Sequence, residues 1–226
     1  MRNYFLSLLA LTLVIACSNS SEFATGEIKA IKNLKDTLLA SKTPTKILDT
    51  RNVINRKKID DAKIPVLFLE LENGQNGTLT LYPGEGVGET WLGADGATVT
   101  LEYGFLKATR GMKNDLMGSI SSKKPLWADT PATENKRKYK RQLSYLGGDN
   151  LILTRIFSCQ IERDKKPSSV IIFELQFKVR KYTETCHHDS IDLQNIYFVD
   201  NESIVRKSRQ YHSPALGYIT VERLDR

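Results

Sequence analysis

Cysteine is scarce. Three in 226 residues exclude a disulfide-dense scaffold and a cysteine-rich zinc protein. Long apolar runs are also missing. The longest, residues 5–15, is too short to cross a bilayer as a permanent helix, which excludes a polytopic membrane protein. No collagen, coiled-coil or solenoid period is present. A Gly-x-Ser-x-Gly nucleophile elbow and a His-Glu-x-x-His zinc motif are both absent, which removes two common hydrolase designs. Gly84, Gly86 and Gly88 alternate as in a phosphate loop, but no helical pattern follows them and no Lys-Ser/Thr stands in the Walker position. That segment reads as a hairpin connection.

What remains is 40% hydrophobic, enough for a sizeable core in one domain or two small ones. The formal charge is +7 and the pI about 9.2. Such a balance suits nucleic acid, anionic lipid, an anionic polymer or simple solubility, and the compartment decides among them. Arg2, the apolar residues 5–15 and the small Ala16 form a secretory leader. Val14-Ile15-Ala16-Cys17 looks like a bacterial lipobox, in which cleavage falls before the cysteine and the cysteine is acylated. Two or three acyl chains on Cys17 anchor a protein stably, where one is marginal. Ser18 is not the Asp that retains such proteins at the inner membrane. The expected site is therefore the inner leaflet of the outer membrane, facing the periplasm. The expected organisation is a leader over 1–16, a lipidated tether over 17–26 and a single β-rich domain over 27–226. Export excludes nucleic acid as a partner and leaves lipid head groups and acidic polysaccharide. It also leaves Cys159 and Cys186 as an even pair in an oxidising compartment. A disulfide is the natural reading, and buried free thiols are the alternative.

Along the chain, Ile28, Ile31, Leu34 and Leu38 recur at helical spacing and predict an amphipathic helix over 27–41, ended by Thr43-Pro44. After that the grammar is that of strands: 64–71, 78–82, 97–103, 105–110, 139–146, 151–161, 170–182, 191–199, 204–211 and 217–224. A helical turn is predicted over 115–118 and a long loop over 121–140. Asp95-Gly96 marks a hairpin. The pattern predicts a mainly β fold, an antiparallel β-sandwich or partly open barrel with an N-terminal amphipathic helix.

The chemistry-bearing candidates each have a plain structural reading. Cys186-His187-His188-Asp189, with Cys159 and His212, offers metal-ligand types without zinc spacing, and adjacent histidines on a strand point to opposite faces. No metal and no cofactor are expected. Lys136, Arg137, Lys138, Lys140 and Arg141 form a basic run suited to an anion or acidic polysaccharide, or to a solvated edge that deters strand pairing. If Tyr139 lies in a strand, Lys138 and Lys140 share one face while Tyr139 and Arg141 share the other. Glu85 and Glu89 flank Trp91 as paired carboxylates do in a glycosidase, though in a Gly-rich hairpin they read as solvated charges.

Two stretches carry a resemblance. Residues 91–117, WLGADGATVTLEYGFLKATRGMKNDLM, and 196–210, IYFVDNESIVRKSRQ, continuing through Leu216-Gly217-Tyr218, together with the lipobox, resemble the YjbF/GfcB lipoproteins of exopolysaccharide and group 4 capsule operons. The similarity runs from about residue 64 to 224. It departs at Asn201-Glu202-Ser203, where an Asp-x-Gly-type turn is expected; Asn201 can take the left-handed conformation there. The resemblance implies a largely β, periplasm-facing outer-membrane lipoprotein that supports polysaccharide secretion, with no reaction attached. It also implies an outer-membrane barrel and a periplasmic protein of the same operon as partners. Trp91, Thr109, Arg110 and Asp115 are the candidate motif surface. Trp91 also reads as core with its indole N–H satisfied, and Thr109-Arg110-Gly111 with Asp115 as an Arg–Asp clamp on a turn. The competing readings are a polysaccharide hydrolase or lyase using Glu85, Glu89, Trp91 and Arg110, and a lipid-binding half-barrel. The charges of Glu174, Lys178 and Arg180 on alternating faces speak against the second.

Overall fold

The computed structural model describes residues 49–84, 88–112, 114–129, 134–147 and 151–225. Cys17, the leader, the tether, the helix expected over 27–41 and Glu85 lie outside them. Among the described residues no helix is long and apolar enough to cross a membrane.

The chain forms β1 (Val66–Leu71), β2 (Asn76–Tyr82), β3 (Glu89–Gly93), β4 (Thr98–Glu102), β5 (Phe105–Arg110) and β6 (Leu116–Ser121), then β7 (Lys136–Leu146), β8 (Ile152–Arg163), β9 (Ser168–Ile172), β10 (Leu175–His188), β11 (Ile191–Val199), β12 (Val205–Ser213) and β13 (Gly217–Arg223). Among the described residues a 3-10 turn (Thr50–Asn52) and an α-helix, α1 (Arg56–Ala62), precede them. The strands join in one antiparallel sheet in the order β5-β4-β3-β2-β1-β13-β12-β11-β10-β8-β7-β6, with β9 on the first half of β10. The sheet curls into a nearly closed barrel, within the mainly β class that the strand pattern predicts.

The barrel's two path ends, β5 and β6, lie side by side, and side chains bridge them in place of a backbone ladder. Thr109 Oγ1 accepts from the Leu116 amide at 3.0 Å, Arg110 donates to the Leu116 and Met117 carbonyls, and Arg141 donates to the Leu106 carbonyl at 3.1 Å. Inside, Trp91, Leu106, Phe157 and Tyr197 are fully buried and fill the core.

β1 is apolar without alternation because both of its faces are covered. Leu67 and Leu69 face the barrel, whereas Val66 and Phe68 join Ile59 of α1, Ile172 and Leu224 in a second, smaller core outside it. Full burial of each such side chain contributes about 1.5–3 kcal/mol. α1 itself is short. The Asn55 side chain caps it on the Lys58 amide, and Lys63 ends it at φ 51°.

Three expectations need correction. The strand expected over 170–182 is the β9–β10 hairpin, turned at Phe173 and Glu174, both with positive φ (44° and 73°). The helical turn expected over 115–118 is absent: from Leu116 the chain is strand, since β6 pairs with β7. The loop over 121–140 is shorter than expected: β7 begins at Lys136, and a 3-10 turn at Leu126–Ala128 buries Trp127 among Phe105, Tyr182 and Tyr197. Its indole N–H donates to the Tyr103 carbonyl at 2.8 Å.

Cys159 and Cys186 sit directly opposite each other on β8 and β10, and their sulfurs are joined in a disulfide spanning 27 positions. Replacing both by alanine is expected to lower stability by about 3 kcal/mol through added freedom of the unfolded chain, read by urea denaturation. Tyr103-Gly104 forms the two-residue turn between β4 and β5, both residues having positive φ (52° and 81°). A Cβ at Gly104 would overlap the Val205 side chain. Gly104→Ala is therefore expected to cost about 2 kcal/mol or more, seen as a lower melting temperature.

Candidate functional site

The two motif stretches turn out to hold each other. Trp91, Val99 and Thr109 form one cross-strand row on β3, β4 and β5. From the second stretch, the buried Gln210 reaches across the interior to this sheet. Its Oε1 accepts from the Leu106 amide at 2.8 Å and its Nε2 donates to the Gly104 carbonyl at 2.8 Å. His212, also on β12, meets Thr109 at 2.9 Å. Trp91 and Thr109 are thus interior, 0% and 1% exposed, and not part of a surface. Trp91 has no hydrogen-bond partner for its indole N–H, contrary to expectation. Instead the Arg223 guanidinium lies 5.2 Å from its ring centroid.

The turn after β5 is clamped, but not by an Arg–Asp pair. Asp115 accepts from the Thr109 hydroxyl and from the Gly111 and Met112 amides, all within 3.0 Å, while Arg110 binds backbone carbonyls. Because a carboxylate only accepts, Thr109 donates to Asp115 and accepts from His212 Nε2–H. Burial keeps His212 neutral at pH 7, so Nδ1 accepts from the Ser213 hydroxyl at 2.9 Å. Burial pushes its pKa down to about 4, against the opposing pull of Asp115. In the β11–β12 turn the left-handed residue is Ser203 (φ 66°), not Asn201. Asp200 holds that turn through the Glu202 and Ile204 amides and an ion pair to Arg206 at 2.6 Å.

The basic run splits by strand alternation on β7. Lys136, Lys138 and Lys140 face outward. Arg141 faces inward, 2% exposed, so it is no anion contact. Its partner is Glu184 at 2.8 Å, which also accepts from Tyr139 (2.5 Å), Tyr197 (2.7 Å) and Asn195 (2.7 Å). Ser119 and the Leu106 carbonyl take the other guanidinium protons. Burial would raise the Glu184 pKa, but Arg141 and the three donors outweigh it and keep the carboxylate ionised. Arg137 is half-buried and tied to Asp129 and Glu134.

The metal-ligand candidates are occupied otherwise. Glu184 stands near Cys159 and Cys186, but those sulfurs are bonded to each other and Glu184 is spent on Arg141. His187 bonds Asp192, and His188 bonds the Ile156 carbonyl. Of the carboxylates considered for catalysis, Glu89 pairs with Arg223 at 2.7 Å.

The exterior carries a groove that the sequence did not reveal. It holds about 430 Å³ over β11, β12, β13 and β1. Arg209 and Tyr218, from the second motif stretch, form its centre: the guanidinium stacks 3.6 Å from the ring centroid and pairs with Glu72 at 2.9 Å. Glu72 also accepts from the Tyr218 amide, and the left-handed φ of 65° at Gly217 beside it favours glycine. Arg51 and Lys207 share the buried Glu222 beside it. The signal available was the outward position of Arg209 between the inward Ser208 and Gln210.

No curated protein matches the sequence. Among solved structures, the crystal structure of the hypothetical lipoprotein YmcC from Escherichia coli (K12) matches 82% of this chain and 98% of its own, with a TM-score of 0.67 and 19% identity, a likeness of fold. The family described as group 4 capsule polysaccharide lipoprotein gfcB, YjbF matches residues 30–224, nearly all of the β domain and both motif stretches. The chain belongs to the YjbF/GfcB family of group 4 capsule polysaccharide lipoproteins.

Proposed function

We propose that this lipoprotein supports export of a capsule or exopolysaccharide as a non-enzymatic binding or docking component. Acylated Cys17 holds it in the inner leaflet of the outer membrane, and its barrel faces the periplasm. The family match over residues 30–224 carries this reading. Support comes from how the titratable groups are used. Glu184, Glu89 and His212 are each bound to structural partners, and the core is filled by side chains. The groove around Arg209 and Tyr218 offers cations, carboxylates and an aromatic ring to a polar partner. The partners are an outer-membrane barrel and a periplasmic protein of the same operon, together with the polymer.

In-cell cross-linking, detergent extraction and affinity purification test this. The lipidated protein is expected to bring down the barrel protein, with or without polymer. Lys207→Glu/Arg209→Glu protein is expected to stay anchored but lose them. A processed protein that stays soluble in the periplasm overturns the anchored reading, and recovered glycan that shortens with time overturns the non-enzymatic one.

A further inference from the structure

We propose that the outward face of β6, β7 and β8 dips into an anionic lipid surface along the strand direction, with Ile152 leading and Lys138 trailing. Ile120, Ile152 and Ile156 are 61%, 61% and 53% exposed, although isoleucine is among the residues most often fully buried. Ile120 and Ile156 flank Gln142 in one cross-strand row, and Ile152 lies two rows further along the same face of β8, beyond the Ser144–Thr154 pair. The edge of β8 at these residues has no strand beside it among the described residues, because β10 covers only Ser158–Arg163 of it, and His188 at the end of β10 reaches no further than the Ile156 carbonyl. A bare apolar edge is a liability that soluble proteins normally blunt with lysine or proline. Here the lysines stand further along the same face. Lys140 and then Lys138 occupy the next two outward positions of β7, beyond Gln142.

The spacing matches a membrane interface. At about 3.4 Å per residue, the Lys140 row lies about 7 Å beyond the isoleucine row and the Lys138 row about 14 Å beyond it. The polar zone on each side of a bilayer is roughly 5–8 Å deep, and interfacial apolar faces enter it by about 5–10 Å. With the Ile120–Ile156 row at the acyl boundary, Lys140 reaches phosphate depth and Lys138 sits just above it, while Ile152, four residues along β8 on the other side of that row, points deeper. Neither lysine has an acidic partner among the described residues, and the acids on the adjoining β10–β11 turn, Asp189 and Asp192, sit against His188 and His187. A second copy paired along the β8 edge would cover the isoleucines but leave the lysine rows without a counter-charge, so the lipid surface is the better fit. A family of lipoproteins keeps such a surface within tether reach.

Vesicle flotation of the mature chain, residues 17–226 with Cys17→Ala, tests this without the acyl anchor. Vesicles of phosphatidylglycerol and phosphatidylethanolamine are expected to bind it at least about tenfold better than phosphatidylcholine, less so at high salt. Lys138→Glu/Lys140→Glu and, separately, Ile152→Ser/Ile156→Ser are each expected to weaken binding about tenfold or more. Lys166→Glu, a single charge reversal in an exposed turn elsewhere, is expected to have little effect. Absence of anionic-vesicle binding overturns the proposal. So does equal binding by all variants, or an isoleucine variant that changes a dimer to a monomer in light scattering while vesicle binding stays unchanged.

Discussion

Replacing Glu184 by alanine is expected to cost about 3–5 kcal/mol, measured by urea denaturation. Arg141 would keep its bonds to Ser119 and Leu106 but lose its counter-charge at a site only 2% exposed. A guanidinium cannot escape by giving up its proton. Arg141→Met is expected to cost less. Glu184 would retain donors from Tyr139, Tyr197 and Asn195, and it can take up a proton. The asymmetry between the two variants is the informative quantity. Equal costs, or a Glu184→Ala cost below about 1 kcal/mol, would mean that water reaches this network.

Stability is expected to fall by roughly 2.5 kcal/mol between pH 7.5 and 4.5 through His212 alone. The folded state holds this imidazole neutral, with a pKa lowered to about 4 by burial, whereas the unfolded chain binds a proton near pH 6.5. The unfolded state therefore carries more protons throughout that window. The contribution is fully present above about pH 6.5 and is lost as the pH falls toward 4. Denaturation curves at the two pH values, compared with His212→Gln, isolate it, because glutamine can still bond Thr109 and Ser213 but does not titrate. If the variant loses as much stability on acidification as the parent, His212 is not the group responsible.

Most of the barrel was legible because strand grammar is local. Asp95-Gly96 marks the turn into β4, although no strand is expected over 89–93, and alternation puts Lys138 and Lys140 on the face of β7 opposite Tyr139 and Arg141. The β9–β10 turn was not legible, because Phe173 and Glu174 take left-handed conformations without a glycine or asparagine to signal them. The site was less legible than the fold. Arg141 stood in a basic run and looked like surface, because its partner Glu184 is distant in sequence and only the barrel brings them together. Gln210 and His212 were hidden for the same reason. Their partners lie in the other motif stretch, and side-chain pairing across an interior leaves no periodicity to read. Trp91, which the sequence offers both as core and as motif surface, is core, but the satisfied indole expected of a buried tryptophan is not what the packing provides.

Nearly every neighbouring pair of strands in the barrel is also consecutive in sequence. The meander β1–β5 and the run β6–β13 are therefore built from short-range contacts. They are joined by the side-chain seam between β5 and β6 and by β1 against β13, the first strand against the last. That last pairing raises the chain's contact order sharply, since its loop cannot close until residues 217–223 are available. Folding of such a chain is governed by one late, entropically costly search rather than by its many hairpins, and the two meanders must wait with their edges open until it succeeds.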